Sequence, residues 1–122
     1  MSKRILVIED DQDIVSLLEY RLTNQGYEVL KAYDGAKGLA LAKSARPDLI
    51  TLDINLPEVN GFTICSMLKA DEDFQHIPII MLTARDSFAD SVFDDSVKPE
   101  AYMTKPFEVS DLLAKIKELV NL

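Results

Sequence analysis

Five short apolar runs, at about residues 5–8, 28–32, 48–52, 78–82 and 100–104, are separated by stretches each long enough for a helix. That alternation admits few folds. The first, third and fourth runs (Ile5-Leu6-Val7-Ile8, Leu49-Ile50-Thr51-Leu52 and Ile79-Ile80-Met81-Leu82) lack the every-other-residue polarity of a half-exposed strand, which suits central parallel strands covered on both faces. Alternating β and α elements then predict an α/β, doubly wound sheet with right-handed crossovers. Four of the runs stop at polar chemistry: Glu9-Asp10 after the first, Asp53 after the third, Thr83 after the fourth, and Lys105 after Ala101-Tyr102-Met103-Thr104. In open α/β sheets, sites form outside the carboxyl ends of the strands, so these groups are predicted to share one crevice.

The intervening helices are read from their period. The last is the clearest, with Val109, Leu112, Leu113, Ile116, Leu119 and Val120 recurring at three and four. The first is expected over about 13–24, with Ile14, Leu17, Leu18 and Leu22 inward and Gly26 as its stop. The second, about 35–45, buries Leu39 and Ala42, and the third, about 61–70, buries Ile64, Cys65 and Leu68. A fourth helical region is expected to be marginal and mobile, because Asp86, Asp90 and Asp94 repeat at spacings of four and like charges at that spacing destabilise a helix. Packing of Phe88, Val92 and Phe93 is the competing expectation.

A chain of 122 residues is one domain by its length and needs no covalent staples. The single cysteine, Cys65, has no internal partner, and no apolar stretch is long enough to span a bilayer. A cytoplasmic location and no membrane partner are expected. The 13 basic and 21 acidic residues leave a net charge of −8, which disfavours direct nucleic-acid binding, since that rests on Lys and Arg neutralising phosphates.

The crevice explains its own composition. Two carboxylates about 4 Å apart repel by roughly 4 kcal/mol at an effective dielectric of about 20, so Glu9, Asp10 and Asp53 together call for a cation. Oxygen ligands without Cys or His select Mg²⁺, with Mn²⁺ or Ca²⁺ as substitutes. Asp53 can then attack a phosphoryl group, because a carboxylate needs no base to activate it. Lys105, the metal and the Thr83 hydroxyl supply positive partners for the transferring oxygens. The competing reading of Glu9-Asp10-Asp11 alone is capping of the first helix.

At this point the chain resembles, over its whole length, the receiver domain of two-component response regulators. The resemblance rests on Val7-Ile8-Glu9-Asp10-Asp11, Leu52-Asp53-Ile54-Asn55-Leu56-Pro57 with Gly61 following, Pro78-Ile79-Ile80-Met81-Leu82-Thr83-Ala84, and Tyr102-Met103-Thr104-Lys105-Pro106-Phe107. It implies a flavodoxin-like (βα)5 fold with strand order 2-1-3-4-5 in a single domain over residues 1–122. It further implies Asp53 phosphorylated by a sensor histidine kinase or phosphotransfer protein, and Mg²⁺ held by Glu9, Asp10, Asp53 and the backbone carbonyl of Asn55. The acidic pair is placed at Glu9-Asp10, directly after the first strand, with Asp10 on the metal, Glu9 reaching it through water and Asp11 left for capping or support. Thr83, Ala84 and Tyr102 are the implied switch. They would alter a face made of the fourth helical region, the fifth strand and the last helix, which an output domain, a downstream protein or a second copy of the chain would read. The exposed face of the first helix is the implied docking surface for the kinase. For Lys105-Pro106, sequence physics favours a trans bond, whereas the resemblance implies cis.

One departure stands out. Receivers often carry Gly-Ala ahead of the fifth strand, where this chain has Lys98-Pro99; a residue before proline is pushed towards extended geometry. A rebuilt turn, with the helix ending by about Val97 and Lys98 at negative φ, is expected. His76 is expected to be a solvated loop residue. Three rival functions are weaker. A haloacid dehalogenase-type phosphatase would need an acid two residues after its aspartate, where Asn55 stands; a flavin phosphate would be repelled by Glu9-Asp10-Asp11; an unphosphorylated interaction module would not need the full acceptor set. A phosphoacceptor rather than a turnover enzyme is the expectation.

Overall fold

The computed structural model describes residues 2–84 and 98–121. Within them the order is β1 (Arg4–Ile8), α1 (Gln12–Asn24), β2 (Glu28–Ala32), α2 (Gly35–Ala45), β3 (Leu49–Asp53), α3 (Gly61–Lys69), β4 (Ile79–Ala84), β5 (Ala101–Lys105) and α4 (Val109–Val120), α4 being the last helix of the chain. All pairings are parallel, and the sheet runs β2-β1-β3-β4-β5. The expected doubly wound, flavodoxin-like order is therefore present. The fourth helical region, its acidic repeat and its predicted end near Val97 lie outside the described residues.

The uniform apolarity of the central strands has a plain cause: every residue of β3 is buried, and each face of the sheet meets helices. One face carries Leu6, Ile8, Ile50, Leu52, Ile79 and Met81 against Ala42 of α2 and Ile64, Cys65 and Leu68 of α3. The other carries Ile5, Val7, Leu49, Ile80 and Leu82 against Val15, Leu18 and Leu22 of α1 and Leu112, Ile116 and Val120 of α4. Alternating residues feed opposite cores, so a strand apolar at every position serves both. Cys65 lies within the first core, where burial pushes its thiol up to about 11. His76 is exposed, as expected.

The inward face of α1 needs one correction. Val15, Leu18 and Leu22 are its buried residues, while Leu17, expected inside, is 46 % exposed. The true stripe is rotated by part of a turn, so that Val15, Leu18 and Leu22 meet the sheet while Leu17 lines the groove beside Phe107 and Val109. The helix stops where expected, with Gly26 at a φ of 93°. The turn expected to be rebuilt ahead of β5 falls partly outside the described residues, which resume at Lys98. Arg46 and Glu58 adopt positive φ; the expectation for the φ of Lys98 depends on Val97 and lies outside the described residues. Glu100 ties the start of β5 to α3 and β4: its carboxylate accepts from the Ile79 amide at 2.8 Å and from Lys69 Nζ at 2.8 Å, and Lys69 also donates to the carbonyls of Gln75 and Ile77.

Thr51 is the odd residue of the core. Its hydroxyl is buried without a hydrogen-bond partner among the described residues, between Val7 of β1 and Ile80 of β4 in the register. An unpaired buried hydroxyl costs about 1–3 kcal/mol. Thr51→Val, which keeps the shape and removes the hydroxyl, is expected to raise the unfolding free energy by about 1 kcal/mol in denaturant titration; a lower midpoint would show that the hydroxyl is satisfied.

Candidate functional site

Register brings the polar groups together. Asp53 sits opposite Leu82, and Leu82 opposite Met103; Leu82 and Met103 belong to the core beneath α1 and α4. By strand alternation Asp53 and Lys105, two residues beyond Met103, project from that same face. Glu9 follows the last residue of β1, and its amide continues the ladder by donating to the Ala32 carbonyl at 3.0 Å. Thr83 alternates to the opposite face, shared with Met81 and Tyr102.

The start of α1 is fixed just beyond the acidic pair. Asp11 is the N-cap, its side chain accepting from the amides of Asp13 at 2.9 Å and Ile14 at 3.3 Å. The capping reading of the acidic run is thus correct for Asp11 and leaves Glu9 and Asp10 for the pocket. The Asp11 amide also donates to Glu9 Oε2 at 3.2 Å.

Glu9, Asp10 and Asp53 each offer a carboxylate oxygen within 4.8 Å of the others; Asp10 is exposed and the other two are buried. Lys105 Nζ lies 2.7 Å from Glu9 Oε1 and 3.2 Å from Asp53 Oδ2. Asp53 Oδ1 accepts from the Asn55 amide at 3.0 Å. An oxygen-only donor set this compact suits a hard divalent cation, and nothing soft lies in it. The Lys105–Pro106 bond is cis, the geometry that the resemblance implied and the generic preference did not. Of the remaining sequence candidates, Thr83 is 1 % exposed, Ala84 is level with Lys105 in the ladder, and Tyr102 is half-buried against the α3 side of the core.

The electrostatics follow from this crowding. Burial, the largest influence, pushes Glu9 from its ordinary 4.5 to about 7; the hydrogen bond from Lys105 pulls the other way, and Asp53 adds to the rise. Burial works against the charge of Lys105, yet the hydrogen bond to Glu9 and the charges of Asp53 and Glu9 outweigh it and hold the ammonium above its usual 10.5. Sequence reasoning placed Lys105 towards a phosphoryl group and missed its contact with Glu9. The residues are 96 apart in the chain, and no local spacing signals the pairing.

Strand order and pocket together define the class, a flavodoxin-like α/β domain with its site at the carboxyl edge of the sheet. Within that class the chain belongs to the response regulator receiver domain family, whose model matches residues 5–117. It is 44 % identical over 118 residues to the DNA-binding dual master transcriptional regulator RpaA of Synechocystis sp., covering 97 % of this chain and 49 % of that protein. It is 40 % identical over 121 residues to the alkaline phosphatase synthesis transcriptional regulatory protein PhoP of Bacillus subtilis, covering 99 % and 50 %. The chain thus spans about half the length of these curated relatives. Among solved structures it is similar to a CheY-like response regulator receiver domain protein from Methanospirillum hungatei (TM-score 0.88, 35 % identity, 99 % of this chain and 95 % of that one). It is also similar to the receiver domain of the sensor histidine kinase PA1611 from Pseudomonas aeruginosa (TM-score 0.88, 27 % identity, 100 % of both chains), which was solved with a magnesium ion in its active site cleft. Receiver domains of this family are phosphorylation-dependent switches of two-component signalling that interact with histidine kinases or phosphotransfer proteins.

A titration checks the charge balance. In the metal-free chain, the Glu9 side-chain carboxyl ¹³C signal is expected to titrate near 7, and Lys105→Ala is expected to move that midpoint higher by removing the one large influence that lowers it. Because the folded value is raised, this group favours folding most below 4.5 and loses that contribution as pH climbs to about 7. A midpoint in the ordinary carboxylate range would contradict the assignment.

Proposed function

We propose that the chain, as a single receiver domain over residues 1–122, accepts one phosphoryl group on Asp53 from a phosphohistidine of a sensor histidine kinase or phosphotransfer protein in the cytoplasm. The observation that carries this reading is the double contact of Lys105 with Glu9 and Asp53, at 2.7 and 3.2 Å, beside Asp10. In the transfer, an Asp53 carboxylate oxygen forms a bond to phosphorus as the bond from the donor imidazole nitrogen breaks, and the imidazole leaves with the electron pair. Lys105 donates to the equatorial oxygens as their charge grows, and Thr83 supplies a hydroxyl hydrogen bond. Asp53 needs no base to act as a nucleophile, and Lys105 Nζ lies 3.2 Å from its Oδ2.

Glu9, Asp10, Asp53 and the backbone carbonyl of Asn55 are the residues that would hold Mg²⁺, or Mn²⁺ or Ca²⁺ in its place. Both Glu9 oxygens already accept hydrogen bonds, from Lys105 and from the Asp11 amide, which favours contact through water. When bound, the ion supplies positive charge against the three carboxylates and the phosphoryl oxygens.

Phosphorylation adds about −1.5 to −2 charges at Asp53. Thr83, Ala84 and Tyr102 are the residues proposed to respond, and the face made by β5, α4 and the segment before β5 is the proposed output surface for an attached domain, a downstream protein or a second copy. The donor is proposed to dock on α1, where Leu17 and Tyr20 are exposed beside an apolar groove of about 400 Å³ lined by Ile14, Leu18, Phe107 and Val109. The net charge of −8 argues against direct nucleic-acid contact by this domain, and no described helix is long and apolar enough to cross a membrane.

Intact mass spectrometry with acetyl phosphate and Mg²⁺ tests this reading. The native chain is expected to gain one phosphoryl group and Asp53→Asn none, while Lys105→Ala slows the gain by on the order of 10²-fold. Uptake by Asp53→Asn equal to that of the native chain would overturn it.

A further inference from the structure

We infer that Gly61, seconded by Gly35, is a positioning residue for the Asp53 carboxylate, an inference that rests on the phosphoacceptor reading above. Gly61 begins α3 and is buried, and it does not adopt a positive φ, so conformational freedom does not explain the glycine. Space does. A Cβ at this position would lie 2.8 Å from Ile54 Cα and 3.0 Å from the Asp53 carbonyl carbon, closer still to the Asp53 carbonyl oxygen. These are backbone atoms, which cannot rotate away.

The bare approach lets the Gly61 amide donate to the Ile54 carbonyl at 2.9 Å, while the Ile54 amide donates to Leu82 of β4 at 3.0 Å. Ile54 is therefore held by the sheet on one side and by the start of α3 on the other. One residue further, the Asn55 amide closes on Asp53 Oδ1 at 3.0 Å, so the orientation of the carboxylate is set by where the Ile54-Asn55 backbone stands. The far end of the same loop has a matching seat. A Cβ on Gly35 would lie 2.9 Å from the Val59 carbonyl oxygen and 3.2 Å from Val59 Cβ. The loop from 54 to 60 is thus gripped between two helix starts that carry no side chain, and its rigidity is passed to Asp53.

The test uses the full chain as Gly61→Ala, with Gly26→Ala as the matched control. Gly26 has a φ of 93° and nothing within 4 Å of an added Cβ, so alanine there strains the backbone without pushing on any neighbour. Thermal unfolding, Mg²⁺ affinity, the ¹H-¹⁵N signal of Asn55 and the maximal rate of phosphorylation by acetyl phosphate are measured on all three proteins. Gly61→Ala is expected to shift the Asn55 signal, weaken Mg²⁺ binding and lower the maximal rate by about 10²-fold, the cost of misplacing a reacting group by about 1 Å. Gly26→Ala is expected to lose stability alone. If Gly61→Ala instead behaves like Gly26→Ala, keeping the native Asn55 signal and rate, the inference is overturned. Should Gly61→Ala fail to fold, Gly35→Ala decides: a shifted Asn55 signal and slower phosphorylation support it, and native values overturn it. A native chain that takes up no phosphoryl group would defeat the phosphoacceptor reading, while the Asn55 signal and Mg²⁺ affinity would still decide the positioning role.

Discussion

Lys105 contacts two buried carboxylates at once, and the site depends on the charge problem which that contact only partly solves. Glu9 and Asp53 are almost wholly withdrawn from solvent, where an unpaired charge is strongly disfavoured. One ammonium between them, at 2.7 and 3.2 Å, offsets one negative charge of the three contributed by Glu9, Asp10 and Asp53. The residue of that imbalance is visible in Glu9, which burial holds near 7 in spite of the lysine. A pocket left in this state favours whatever brings further positive charge.

The frame that maintains this crowding is the parallel sheet. Alternation along β3 and β5 sends Asp53 and Lys105 to one face, and the register of β3 with β4 and β4 with β5 sets them at neighbouring heights. Asp11 fixes the start of α1 immediately after the acidic pair, and Gly61 lets α3 press against the backbone that follows Asp53. Strong packing beneath, through residues such as Ile8, Leu52 and Leu82 that are at most 1 % exposed, keeps three like charges from spreading apart.

Much of this was legible in the chain because the signals are short-range. Runs at 5–8, 49–52 and 79–82 that are apolar except for Thr51 report strands covered on both faces, and the β3 and β4 runs differ from the expected limits by only one or two residues. The resemblance placed the acidic pair at Glu9-Asp10, directly after the first strand, and the structure uses Asp11 as the cap of α1. Leu17 was misread because helical period fixes an apolar stripe only to within part of a turn, and the packing of Val15, Leu18 and Leu22 on the sheet sets the rotation of α1. The Glu9–Lys105 ion pair arises from tertiary geometry and leaves no mark in local spacing, whereas Gly61 stands in the motif after Asp53 but its close approach to the backbone there is read only from the structure. The bonds that tie Glu100 to Lys69 and to the Ile79 amide likewise left no local signal.

The central claim is that Glu9, Asp10 and Asp53 converge on one divalent ion at the carboxyl edge of the sheet. Paramagnetic broadening of backbone amide signals by substoichiometric Mn²⁺ tests it most directly. The account predicts saturable broadening centred on residues 9–11, 53–55 and 105, relieved by excess Mg²⁺ and lost in Asp10→Asn, with Arg4, Asp48 and Glu100 at the opposite edge unaffected. Broadening centred instead on the exposed acids Glu72 and Asp73, or none that Mg²⁺ relieves, would contradict it.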